Sequence, residues 1–266
     1  MTPTLGVIGL GRMAQALLFP WLEQGLLAPE RVQAVVASAA SAGRLQAQWP
    51  CRVTTDPAAA WGCDVVLLAV KPQQLEAVAA AAAPGPPGRL LVSVLAGVTL
   101  ARLARLCPGW RCVRAVPNTP ALVRAGLTGL AYGDGVEAAE RAWLEALFAA
   151  VGEVLPLPEP QLDAFLALTS SGPAFVALVA EAMADGAVAA GLPRDLALRL
   201  APRTLAGTAA LLEQQGLHPG QLKDMVSSPG GTTIAGLRQL ERLGLRSALI
   251  EAVLAAAQRS RELAGG

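Results

Sequence analysis

Two glycine-rich segments hold the residue types best suited to chemistry. Gly9-Leu10-Gly11-Arg12-Met13-Ala14 follows the apolar run Leu5–Ile8 and opens the Ala- and Leu-rich stretch Met13–Glu23. It fits the spacing G-x-G-x-x-A. The first glycine permits a tight turn and the second lets the backbone approach a pyrophosphate. The small third residue lets helix and strand pack closely, while the helix start offers N–H groups and partial positive charge. The segment therefore predicts a dinucleotide site. Ser227-Ser228-Pro229-Gly230-Gly231-Thr232-Thr233 lies before a helix predicted over Thr233–Leu243. Free backbone N–H groups at that start suit a small carboxylate without any cationic side chain. A helix capped by Ser or Thr is the structural alternative.

Three further segments complete the candidate set. Ala69-Val70-Lys71-Pro72 and Pro117-Asn118-Thr119-Pro120 each end a predicted strand, the edge where open α/β sheets bind ligands. Glu159 lies in the proline-rich junction 155–160, placed for a cleft between two halves. No acid occurs between Glu30 and Asp56, where NAD binders usually place a carboxylate for the ribose. Ser38 and Arg44 suit a 2′-phosphate, which points to NADPH, with NADH as the alternative donor. The remaining polar residues read as structure. His218 starts a helix, Glu181 and Asp185 are polar positions, and Thr169–Pro173 is a second capping loop. There is no G-x-S-x-G elbow and no Ser-His-Asp set. Cys51, Cys63, Cys107 and Cys112 fit no metal spacing, so they read as reduced thiols and no metal site is expected.

The elements that must position these residues follow from composition and pattern. The chain has 266 residues, with 21 Lys and Arg against 20 Asp and Glu, one histidine and only two lysines, Lys71 and Lys223. A formal charge of +1 argues against nucleic-acid or anionic-membrane binding. The 53% hydrophobic content supports a sizeable core. No apolar run approaches the ~18 residues of a membrane span, and the N-terminus lacks a basic leader, so cytoplasm is expected. Strands are predicted at Leu5–Ile8, Val32–Ala37, Asp64–Val70, Leu90–Val94 and Arg111–Val116, alternating with helices at Met13–Glu23, Gln73–Ala83 and Thr99–Leu106. A loop falls at Pro84–Gly88. That alternation implies a parallel sheet with helices on both faces. Beyond Val154 no strand is evident, and helices are predicted at Ala174–Ala190, Asp195–Gln215, Pro219–Val226, Thr233–Leu243 and Arg246–Leu263. The first of these is apolar around most of its circumference, which favours burial against a second subunit. The expected domains are 1–156, binding the dinucleotide, and 157–266, all-helical.

The order and spacing of six segments resemble pyrroline-5-carboxylate reductase from end to end. They are Val7–Ala16, Ala69–Pro72, Val116–Ala121, Ser171–Ala174, Gly191–Pro193 and, above all, Gln221–Ile234. The resemblance implies an α/β Rossmann domain followed by an all-α dimerisation domain, forming a homodimer that assembles further into rings. It implies reduction of a cyclic imine to L-proline by NAD(P)H. Gly9, Leu10, Gly11, Arg12, Met13, Ser38, Asp56, Ala69, Val70, Lys71, Pro72, Ala96 and Asn118 then line the cofactor. Glu159, Met225, Gly230, Gly231, Thr232 and Thr233 line the substrate, with Thr233 hydrogen-bonded to the ring nitrogen. Leu10, Arg12, Asp56, Leu166, Thr169-Ser170 and Met225 depart from the family's usual residues. A carboxylate at Asp56 weakens the NADPH preference. Two rival readings are a related two-domain dehydrogenase and a non-catalytic nucleotide-binding regulator. Dehydrogenases of that kind place a lysine on the long helix, which here has none, and a regulator has no use for the Gly-Gly-Thr-Thr loop.

Overall fold

The run Leu5–Ile8 forms strand β1, and in chain order there follow α1 (Arg12–Glu23), β2 (Val32–Val35), α2 (Ala39–Gln46), β3 (Arg52–Thr54) and α3 (Pro57–Trp61). Next come β4 (Val65–Leu68), α4 (Leu75–Ala79), β5 (Leu90–Ser93), α5 (Leu100–Leu106) and β6 (Arg111–Val116). The sheet ends with β7 (Gly126–Tyr132), α6 (Ala138–Ala149) and β8 (Gly152–Pro156). The helices α7 (Leu162–Thr169), α8 (Gly172–Ala189), α9 (Arg194–Gln215), α10 (Pro219–Met225), α11 (Thr232–Arg242) and α12 (Leu245–Ala264) complete the chain. The structure is a computed structural model and describes residues 3–82 and 88–264. The loop expected at Pro84–Gly88 lies, through Pro87, outside the described residues, as do Met1 and Thr2.

The strands order as β3-β2-β1-β4-β5-β6-β7-β8. All of β4 is buried because its residues alternate between two cores. Val65 and Leu67 face one hydrophobic cluster, Val66 and Leu68 the other. A strand covered by helices on both faces must read as a continuous apolar run, since successive side chains point to opposite sides. The same holds for Leu90–Val92 in β5. On one face Trp21 of α1 donates its indole N–H to the Leu147 carbonyl at 2.5 Å and packs edge-on against Phe148 of α6.

The expectation of an all-parallel sheet is corrected at one point: β7 runs antiparallel to β6, and β8 then pairs parallel with β7. Neither strand was evident from composition, because glycines interrupt β7 and proline closes β8. Pairing of β7 with β6, and of β8 with β7, supplies the hydrogen bonds that local propensity does not demand. Helix α4 is also shorter than expected, because a 3-10 turn occupies Pro72–Gln74.

The chain divides into two compact units. The first takes in everything through Ser170 together with the segment from Ala256 on, and the second is Ser171–Ala255. The break between the compact units therefore falls after α7. The reason is packing: Leu162 is fully buried against Val116 and Ala131 of the sheet. In the second unit α8 and α9 pack through Ala184, Ala197 and Ala201. Ala184 is the only buried residue of α8, while Val176 and Leu178 are exposed. The stretch Glu159–Ala189 contains an 18-residue window of mean hydropathy 1.6 and is long and apolar enough to cross a membrane by length and composition. This corrects the expectation that no such run exists, since scattered polar residues do not lower the mean below that of a span.

A surface clip ties β1 to β4. Asp64 accepts hydrogen bonds from Thr4 N at 2.8 Å and Thr4 Oγ1 at 2.7 Å. Those bonds favour the carboxylate and hold the Asp64 carboxyl below its ordinary value. A depressed carboxyl contributes stability above its unfolded value of about 4 and loses it as pH falls through the folded value. Asp64→Ala is therefore expected to lower the urea midpoint at pH 7, with a difference from the parent that shrinks below about pH 4. Urea titrations at the two pH values check this, and a difference independent of pH contradicts it.

Candidate active site

The order β2-β1-β4 places the reversal of strand order between β1 and β4, where open α/β sheets form a crevice. A cleft of about 540 Å³ occupies that crevice, and Gly9, Leu10, Gly11, Ala69, Val70 and Lys71 line it. The two motif glycines serve it differently. Gly9 has φ +94°, donates its N–H to the Val35 carbonyl at 2.9 Å, and would place a Cβ 2.8 Å from the Ala69 carbonyl oxygen. It is a glycine because the fold requires one. Gly11 has an ordinary extended backbone, and a Cβ there would meet nothing within 4 Å. Packing does not demand glycine at this position, so its use is to leave space beside the helix start. Gly11 is also the N-cap of α1, with no side-chain acceptor and no acid in the first turn. That helix start fits a phosphate. Ala14 is fully buried, as close contact of helix and strand requires.

The far end of the cleft is lined by Ala37, Ser41, Arg44, Thr55 and Pro57. Two expected contacts there are committed elsewhere. Ser38 caps α2, accepting from Ser41 N at 3.2 Å, and Asp56 caps α3, accepting from Ala58 N at 3.0 Å. Neither lines the cleft, but their neighbours Ser41, Thr55 and Pro57 do. The turn chemistry that starts each helix uses the first polar side chain after the strand, and the next hydroxyl or cation faces the space. Arg44, which the sequence singles out, is in the lining. Arg12 is exposed and lines a separate surface hollow with Phe19, Trp49 and Leu122, while Met13 packs on the core. Pro72 opens the 3-10 turn after Lys71.

Farther along the carboxyl edge, Ala96 is exposed in the loop after β5. Asn118 is 4% exposed. Its Nδ2 donates to the Thr169 carbonyl at 3.0 Å and its Oδ1 accepts from Leu127 N at 2.8 Å. This amide holds α7 and β7 to the edge and so shapes the loop. Glu159 Oε1 accepts from Leu100 N at 2.7 Å and so caps α5 together with Thr99. The expected capping loop at Thr169–Pro173 is corrected. Thr169 ends α7 and donates to the Phe165 carbonyl, Ser170 donates to the Pro117 carbonyl, and α8 begins without a side-chain cap.

In the second unit Met225 ends α10 and is exposed. Gly230 has φ +67°, and Gly231 is the N-cap of α11. No Ser or Thr side chain caps that helix, and no acid stands in its first turn. Gly231 N–H donates to the Ser228 carbonyl at 3.0 Å, while no side-chain acceptor stands before the first turn of α11. Thr232 and Thr233 open the helix, Thr233 partly shielded. His218 does cap α10, its Nδ1 accepting from Gly220 N at 3.1 Å, and Asp185 pairs with Arg194.

The four thiols are free and buried; burial pushes Cys107 up to about 11 and Cys112 to about 12. They are poor nucleophiles at neutral pH. No group of His, Cys, Asp or Glu among the described residues fits a metal ion. The residue that sequence reasoning passed over is Arg114, buried at 1% in β6. Its signal was a second cation, inside the apolar part of a strand that Arg111 begins.

Comparison with known proteins accords with this geometry. The chain is 47% identical to a pyrroline-5-carboxylate reductase of Synechocystis over 99% of both chains, and 42% identical to one of Glycine max over 98% and 96%. The family model for pyrroline-5-carboxylate reductase dimerisation matches residues 159–263, and that for NADP oxidoreductase, coenzyme F420-dependent, matches residues 4–97. A Plasmodium falciparum pyrroline carboxylate reductase with NADP bound superposes with a TM-score of 0.90 at 27% identity, covering 98% of each chain. A Coxiella burnetii pyrroline-5-carboxylate reductase gives 0.87 at 32%, covering 99% of each. A Rossmann sheet, a helical unit matching the dimerisation model and full-length likeness at this level converge: the chain belongs to the pyrroline-5-carboxylate reductase family.

Proposed function

We propose that this chain reduces 1-pyrroline-5-carboxylate to L-proline with NAD(P)H, the last step of proline biosynthesis. The observation that carries the reading is the pair of helix starts at Gly11 and Gly231, each without a side-chain acceptor. The N–H groups of α1 hold the cofactor pyrophosphate. Ser41 and Arg44 face the 2′-phosphate, and no carboxylate lines that end of the cleft, which supports NADPH over NADH. Ala69, Val70, Lys71, Ala96 and the Asn118 loop border the nicotinamide side. The bound cofactor supplies the hydride.

The N–H groups of Thr232 and Thr233 at the start of α11 hold the substrate carboxylate, and Thr233 Oγ1 orients the imine nitrogen. A neutral hydroxyl is a weak acid, so solvent or an already protonated imine delivers the proton. Catalysis of this kind rests on orientation, with no nucleophile or metal, which suits a chain with one histidine and two lysines. In functional terms residues 1–156 carry the cofactor, and 157–266 carry the substrate loop and the subunit contacts. The exposed apolar face of α8 belongs in a homodimer that assembles further into rings, so the hydropathy of 159–189 reflects a subunit interface and not a membrane span. We place the enzyme in the cytoplasm, with no nucleic-acid partner.

Purified protein is expected to oxidise NADPH when given 1-pyrroline-5-carboxylate, and NADH more slowly. Thr233→Ala should lower kcat by about ten-fold or more while leaving NADPH affinity unchanged. Absence of turnover with either nucleotide sinks the reading.

A further inference from the structure

Away from the cleft, one buried cation gathers three chain segments. Arg114 of β6 is 1% exposed, with Nη1 3.5 Å from Glu159 Oε1 and Nη2 3.1 Å from Asp163 Oδ1. Asp163 Oδ1 also accepts from Ser260 Oγ at 2.8 Å, and Ser260 is 3% exposed. The strand β6, the start of α7 and the last turns of α12 are thereby tied at one point. A buried ion pair contributes little net stability relative to apolar residues of the same volume. What this cluster supplies is position.

Two contacts carry that position to the carboxyl edge. Leu263 lies on the same face of α12 as Ser260, three residues on, and closes on Gly97. A Cβ on Gly97, whose φ is +70°, would stand 2.8 Å from Leu263 Cβ and 3.1 Å from its carbonyl carbon. No side chain fits between α12 and the loop after β5. At its other end α7 bonds Asn118 through the Thr169 carbonyl and leads into Ser170, which bonds Pro117. The loops braced in this way, around Ala96 and Asn118, are those assigned to the nicotinamide side.

We infer that Ser260 is a positioning residue for hydride transfer: by bonding Asp163, which Arg114 holds, it seats the end of α12 against Gly97 and so sets the Ala96 backbone. The inference rests on the imine-reductase reading above. Its test is steady-state kinetics with NADPH and with NADPH deuterated at the transferred position, on the parent, Ser260→Ala, Ser260→Thr and Leu263→Ala. Ser260→Ala is expected to lower kcat about ten-fold with KM for NADPH changed less than about two-fold. The deuterium effect on kcat should rise, because hydride transfer becomes slower than product release. Ser260→Thr keeps the hydroxyl and restores both values. Leu263→Ala shifts them in the same direction without touching the buried cluster. Lower thermal stability in Ser260→Ala, with kcat and deuterium effect unchanged in both alanine variants, overturns the inference and leaves a structural bond. No turnover by the parent overturns the functional reading and this inference with it.

Discussion

Gly11→Val is expected to weaken NADPH binding by about two orders of magnitude while costing no more than about 1 kcal/mol of stability. The Gly11 backbone is one any residue adopts, and a Cβ there meets no protein atom within 4 Å. The added side chain therefore fills the space left for the pyrophosphate and leaves the fold alone. Gly9→Val, two residues earlier, should fail for the opposite reason. At φ +94°, with a Cβ 2.8 Å from the Ala69 carbonyl oxygen, it strains the β1 end and displaces β4. Strain of that kind costs on the order of 1–3 kcal/mol. Fluorescence titration with NADPH and thermal unfolding separate the two. Undiminished affinity in Gly11→Val removes the pyrophosphate from the α1 start.

Arg114→Met is expected to cost about 3–5 kcal/mol, the usual result of deleting one partner of a buried ion cluster. The loss is large because Glu159 and Asp163, with side chains 27% and 15% exposed, are left without their shared cation. Urea unfolding at neutral pH measures it. Adding Asp163→Asn to Arg114→Met should recover part of the loss, because one uncompensated charge is gone; strict additivity of the two substitutions speaks against the cluster. This experiment reads stability, and the kinetic variants at Ser260 and Leu263 read position.

Much of the first unit was legible along the chain. Glycine spacing and the apolar runs located β1, the turn into α1, β4, β5 and β6, because a strand buried on both faces has no polar register to hide in. Helices α8 to α12 begin and end within two residues of expectation, helped by local signals: Pro173, Pro193 and Pro219 at the starts of α8 to α10, and Gly191, Gly216 and Gly244 after α8, α9 and α11. The strands β7 and β8 were not legible. Gly126–Tyr132 and Gly152–Pro156 have weak local preference and become strands because β6 offers an edge to β7, and β7 in turn to β8. The helix α7 was hidden by the prolines before it, and its place in the first unit depends on Leu162.

The site divides along the same line. By itself the sequence determined where chemistry could lie: two glycine-led segments at helix starts, with no acid at the β2 end. Those follow from residue type and spacing, which act over a single turn. Tertiary structure alone decided which polar groups remain free for ligands. Ser38 and Asp56 are committed to helix caps, Asn118 to α7 and β7, and Glu159 to Leu100 and Arg114. A hydrogen-bonding group serves whichever partner the fold brings nearest, and for Glu159 that partner lies 59 residues away in the chain.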